Sequence, residues 1–80
     1  MRAGIVELDL HGKNTYQAKV AVDAALRRVR IGTYRLRLIH GYHGGTALRE
    51  MLRAEYAAHP QVLRLEASAS GVTELVLREF

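Results

Sequence analysis

The sequence predicts an α/β fold, a two-layer sandwich in the order βαβαββ, with a mixed four-stranded sheet and two helices on one face. Three observations lead there. Four short segments alternate apolar and polar residues with the period of a half-buried strand, and two longer segments between the first three carry apolar residues at helical spacing. Glycine, asparagine or proline punctuates the junctions. Parallel strands covered on both faces show continuous apolar runs, so alternation in every strand places both helices on one face and leaves the other open.

The first strand runs through Ile5-Val6-Glu7-Leu8-Asp9-Leu10-His11, with Val6, Leu8 and Leu10 on one side and Glu7, Asp9 and His11 on the other. Gly12-Lys13-Asn14 breaks it, and Asn14 followed three residues later by Gln17 has the form of a capping box. Ala18, Val22, Ala25, Leu26 and Val29 then make the buried stripe of a helix. Arg27, Arg28 and Arg30 complement the helix dipole in its last turn, and Gly32 ends it. Tyr34-Arg35-Leu36-Arg37-Leu38 alternates again, with the leucines inward. After a glycine-rich turn, Leu48, Met51, Leu52 and Tyr56 give a second helical stripe, closed by Pro60. Val62–Ala67 and Val72–Leu77 read as two more strands joined by Ser68-Ala69-Ser70-Gly71. Right-handed crossovers make the first three strands parallel, and the last is expected to return antiparallel at an edge. Val6, Leu8, Leu10, Leu36, Leu38, Leu63, Leu65, Leu75 and Leu77 should then be buried with Ala18, Val22, Ala25, Leu48 and Leu52.

Length and composition bound the function. Eighty residues make one domain, 1–80, whose core must come from aliphatic residues, since Trp is absent and the one Phe is the last residue. The chain has no apolar run of membrane-spanning length and no signal-peptide pattern near Met1, which gives the expectation of a soluble, cytoplasmic protein with no membrane partner. Zero cysteines exclude disulfides, thiolate catalysis and Cys-zinc sites, so any chemistry must use imidazole, carboxylate or hydroxyl groups. The net charge of +4 is carried mostly by arginine and favours an anionic partner. The open face would hold Glu7, Asp9, Arg35, Arg37, Arg64, Glu66, Glu74 and Arg78, which suits either cross-strand ion pairing or arginines free to meet a polyanion.

The chemistry is concentrated after the two parallel strands, which end in His11-Gly12 and His40-Gly41. The carboxyl ends of parallel strands share one edge of an open sheet, where ligands bind, so His11 and His40 are expected to converge there. Asp9, two residues before His11 on the same strand face, can orient an imidazole. Gly41-Tyr42-His43-Gly44-Gly45 leads into a helix opening near Thr46, whose unpaired N–H groups suit a phosphate, although the spacing fits neither a P-loop nor a dinucleotide fingerprint. The alternative is a tight glycine turn with incidental histidines.

These residues resemble a known family. Leu8-Asp9-Leu10-His11-Gly12 is similar to the LDLHG signature of the Smr (small MutS-related) domain, and Ile39-His40-Gly41-Tyr42-His43-Gly44-Gly45 resembles its second signature, HGxGxG before a helix bearing Leu-Arg. The likeness spans nearly the whole chain, including Ala18, Leu48-Arg49 and Gly71-Val72-Thr73. His43 stands where the family pattern has its second glycine, with one additional residue before Leu48-Arg49. The resemblance implies a stand-alone, single-domain member with a fold similar to the C-terminal domain of the bacterial third translation initiation factor. It also implies nucleic-acid binding, with nicking or endonucleolytic cleavage of DNA or RNA in some members and binding alone in others.

The reading that unites these features is a phosphodiester-cleaving endonuclease. Asp9 and His11 would activate or orient water, and His40 would contact the scissile phosphate or protonate the leaving oxygen. Gly12, Gly41, Tyr42, His43, Gly44 and Gly45 with Lys13 and Arg49 would hold the phosphate. The alternative is a non-catalytic nucleic-acid-binding module using the same edge. A metallohydrolase on His11, His40 and His43 is weaker, since the sequence offers no clear metal-ligand set; a divalent cofactor is left unassigned. DNA versus RNA, strandedness and oligomeric state are not encoded in these signals.

Overall fold

The computed structural model describes residues 4–41 and 46–79. Its elements are β1 (Ile5–Asp9), α1 (Thr15–Arg28), β2 (Arg35–Ile39), α2 (Thr46–Tyr56), β3 (Arg64–Ala69) and β4 (Val72–Val76). The predicted α/β class, element order, mixed sheet and one-sided helix layer are all present.

Local chemistry explains the boundaries. The capping box at α1 is complete: Gln17 N–H donates to Asn14 Oδ1 at 2.8 Å, and Asn14 N–H donates to Gln17 Oε1 at 3.0 Å. Arg27 and Arg28 occupy the last turn, and Val29 at the C-cap is already extended. Between the helices and the sheet, Leu10, Leu36, Leu38 and Leu75 from the strand layer meet Ala18, Val22, Leu26, Leu48, Leu52 and Tyr56 in one cluster. Tyr56 also ties the helices together, since its hydroxyl donates to Asp23 Oδ1 at 2.6 Å. Its phenol is pushed well above its usual range by burial first and then by the neighbouring Asp23 carboxylate.

The sheet order is β1-β2-β4-β3, which corrects the expected position of the last strand. β4 is antiparallel as anticipated but lies between β2 and β3, leaving β3 and β1 at the edges. Residue chemistry favours this arrangement. Thr73, Glu74, Leu75 and Val76 of β4 are all buried, whereas β3 sets one half-buried leucine, Leu65, among short or charged side chains and has a bulge between Ala67 and Ala69, features that edge strands tolerate. The hairpin turn shrinks to Ser70-Gly71, and β3 begins at Arg64 instead of Val62. Most of the expected core is buried or half-buried, but Val6 and Leu63 are exposed, because Val6 lies on an edge strand and Leu63 precedes β3.

The open face resolves in favour of ion pairing. Arg35 Nη1 donates to Glu74 Oε1 at 2.6 Å and to Glu66 Oε1 at 2.7 Å, while Arg37 Nε donates to Glu74 Oε2 at 2.7 Å. Arg37 also reaches Glu7, and Arg64 joins Glu66 to Glu79. Glu74 is only 3% exposed at the centre of this ladder.

Candidate functional site

Parallel pairing of β1 with β2 brings the two His-Gly motifs to one edge, but with a register that separates the rings. Asp9 is opposite Ile39, and Leu10 N–H continues the ladder to Ile39 O at 2.7 Å. Leu10 is therefore the structural counterpart of His40, and His11 that of Gly41. Because successive side chains alternate faces, Leu10 and His40 turn towards the helix layer, and His11 stays with Asp9 on the opposite side. Burial agrees: Leu10 is 0% and His40 5% exposed, whereas the side chain of His11 is 74% exposed. The expectation that both rings face one cleft is thus corrected. The backbones converge, and the imidazoles do not.

On the exposed side, His11 and Asp9 form a closed pair. Asp9 Oδ1 accepts the His11 backbone N–H at 3.0 Å and the ring Nδ1–H at 3.1 Å. These bonds, the backbone one first, hold the Asp9 carboxyl below its ordinary value, with a smaller contribution from the charge of Lys13. With Nδ1 donating to Asp9, Nε2 is the basic nitrogen and points away from the carboxylate.

On the buried side, His40 uses both ring nitrogens. Nδ1 lies 2.8 Å from Gly41 O and Nε2 lies 2.9 Å from Thr73 Oγ1. The backbone amides of His40 and Gly41 both donate to Gly71 O, at 2.9 and 3.0 Å. Gly41 itself has φ +74°, a left-handed conformation that a side chain strains, and a Cβ there would come to 4.0 Å from the Cβ of His11.

Two clefts flank His40. One of about 400 Å³ opens between the starts of α1 and α2, lined by Gly12, Lys13, Asn14, Ala47 and His40 among others. The other, about 350 Å³, runs between α2 and the β3–β4 turn past Thr46, Arg49, Gly71 and Thr73. Lys13 and Arg49 thus stand on separate clefts, and His11 lines neither. Tyr42, His43, Gly44 and Gly45 lie outside the described residues. No group of three His, Cys, Asp or Glu side chains is placed to hold a metal ion among the described residues, and no helix there is long and apolar enough to cross a membrane. Thr73 was not legible as a site residue, since only the unexpected β2–β4 pairing puts it opposite Leu38, one step from His40.

Comparison with known proteins agrees with this fold. No curated protein matches the chain. Among solved structures, the crystal structure of the Smr domain of Thermus thermophilus MutS2 superposes with a TM-score of 0.81 at 34% identity, covering 92% of this chain and 99% of that one. The sequence model of the Smr domain matches residues 8–77, which take in both His-Gly motifs, the end of β1 and the whole of β2, β3 and β4. The chain therefore belongs to the Smr domain family.

Proposed function

We propose that this protein binds nucleic acid along the carboxyl edge of its sheet and cleaves a phosphodiester there, on DNA or RNA. The observation that carries the reading is the exposed Asp9–His11 pair beside Gly41. Asp9 holds the imidazole in one orientation and one tautomer, leaving Nε2 of His11 to take a proton from the attacking hydroxyl or water. Lys13 and Arg49 flank this edge on two sides and form no ion pair among the described residues, so they supply positive charge to a backbone phosphate. Family membership supports nucleic acid as the partner, and cleavage is the further step that the Asp9–His11 geometry favours.

A second reading, a module that binds without cleaving, is favoured by the engagement of His40. With both its ring nitrogens bonded inside the protein, His11 is the exposed imidazole of the pair of motifs. The two are separated by incubating tag-free protein with supercoiled plasmid, linear duplex, and structured and unstructured RNA, with and without chelator, alongside His11→Ala. The nuclease reading expects His11→Ala to slow cleavage by about 10²- to 10⁴-fold while binding holds within a few fold. Equal cleavage by His11→Ala would reject the assignment of His11, and binding without cleavage of any substrate would establish the module.

A further inference from the structure

We infer that Thr73 is a positioning residue, which fixes His40 as a permanent hydrogen-bond donor to Gly41 and thereby holds Gly41 in place at the proposed nucleic-acid edge. His40 then acts as a buried brace and carries no proton in the reaction. A carbonyl oxygen can only accept, so the 2.8 Å contact with Gly41 O requires a hydrogen on Nδ1 of His40. In the neutral ring Nε2 is then a lone pair, which accepts from the Thr73 hydroxyl at 2.9 Å. An imidazole in water favours the opposite tautomer, with hydrogen on Nε2, so the arrangement is one that the protein imposes.

The surroundings make the brace specific. Thr73 is 6% and His40 5% exposed, so water competes little for either bond. Gly71 O, in the turn just before β4, holds the His40 and Gly41 amides, and Thr73 of β4 holds the His40 ring, so this residue pair is gripped through backbone and side chain together. What is gripped matters for the site, because Gly41 is the left-handed residue beside His11 at the carboxyl edge. The inference rests on the proposed function only for its effect on binding; the tautomer and the grip on Gly41 stand apart from it.

The test uses the whole protein labelled with ¹⁵N. Long-range proton–nitrogen spectra at pH 8 should show His40 with hydrogen on Nδ1 and a bare Nε2. Thr73→Val, which keeps shape and removes the hydroxyl, should move the ring towards the Nε2–H form and raise amide exchange at Gly41 about tenfold, as a local opening does. It should also weaken binding of a mixed-sequence oligonucleotide about tenfold, whereas Thr73→Ser should keep both properties within about twofold of the parent. If Thr73→Val folds poorly, the parent and Thr73→Ser spectra still decide the tautomer. An Nε2–H form in the parent, or Thr73→Val with unchanged Gly41 exchange, would overturn the brace. Failure of the parent to bind any nucleic acid would reject the proposed function and leave the tautomer result standing.

Discussion

The open face of the sheet and its carboxyl edge are built from the same residue types and reach opposite electrostatic states. On the face, Arg35, Arg37 and Arg64 each contact two carboxylates, with Glu74 shared between the first two. At the edge, Lys13 and Arg49 form no ion pair among the described residues, and Lys13 only adds a longer-range attraction to Asp9. An arginine count cannot tell these cases apart. The sheet register decides: Arg37 is directly opposite both Glu7 and Glu74, so its charge is answered from each side, while Arg49 projects from a helix into a cleft without an acid. Lys13 and Arg49 are therefore available at the edge, whereas Arg35, Arg37 and Arg64 are neutralised on the face, which makes the face the poorer surface for a polyanion.

The strongest way to break this contrast is to remove its central carboxylate. Glu74→Ala strips the buried partner from two arginines that are about one quarter exposed and keep Glu66 and Glu7, so the loss falls below that of a fully orphaned buried charge. Urea unfolding should show a destabilisation of about 2 kcal/mol. Nucleic-acid affinity should stay within about twofold of the parent, since the face lies outside the proposed contact. A marked gain in affinity on freeing Arg35 and Arg37 would mean that the face is a masked binding surface and the contrast is false.

The same contrast shows how far the sequence could be read. Alternation in all four strands was sufficient for the two-layer class, and the asparagine–glutamine spacing for the start of α1, because both are local signals. The place of β4 was not, since strand order depends on which strand can be buried on both faces, and that is settled between segments far apart in the chain. Leu75 and Val76 against Arg64 and Glu66 carried a weak hint of it. The error over His40 is more instructive. Counting by twos from Leu36 and Leu38 puts His40 inward, and counting from Leu8 and Leu10 puts His11 outward, so the difference was present in the residues. The repeated His-Gly pair concealed it by suggesting equivalence where the register is offset by one.

At the edge, the contrast is sharpened by Arg49→Ala. Arg49 lines the cleft beside Gly71 and Thr73 and is exposed, so its removal should leave unfolding within about 0.5 kcal/mol of the parent. If it meets a phosphate, affinity should fall by about five- to tenfold irrespective of sequence, and the log–log slope of affinity against salt should decrease by about one. Arg53→Ala, one helical turn further from the edge, serves as the comparison. An unchanged slope for Arg49→Ala would move the phosphate path away from this cleft.

The smallest expected effect is a pH dependence that belongs to the face and not to the edge. Burial pushes the Glu74 carboxyl up, but hydrogen bonds and charges from Arg37 and Arg35 outweigh it and hold the group below its usual value; Glu66 is lowered by Arg35 and then Arg64. A carboxyl whose folded value is depressed contributes stability that is fully present above its unfolded value, about 4.3 for glutamate, and is lost as pH falls through the folded one. Stability should thus be level with respect to these groups near neutrality and decline below about pH 4.5. Glu74→Gln keeps the shape and one acceptor but cannot ionise, so it should be less stable than the parent at neutral pH and lose less on acidification, the two acid limbs drawing together. Asp9 is also depressed, yet it is exposed and bonded only to His11, so Asp9→Asn should leave the acid limb nearly parallel to that of the parent. Parallel limbs for Glu74→Gln, or convergence for Asp9→Asn, would show that the charge holding the fold together sits at the edge after all.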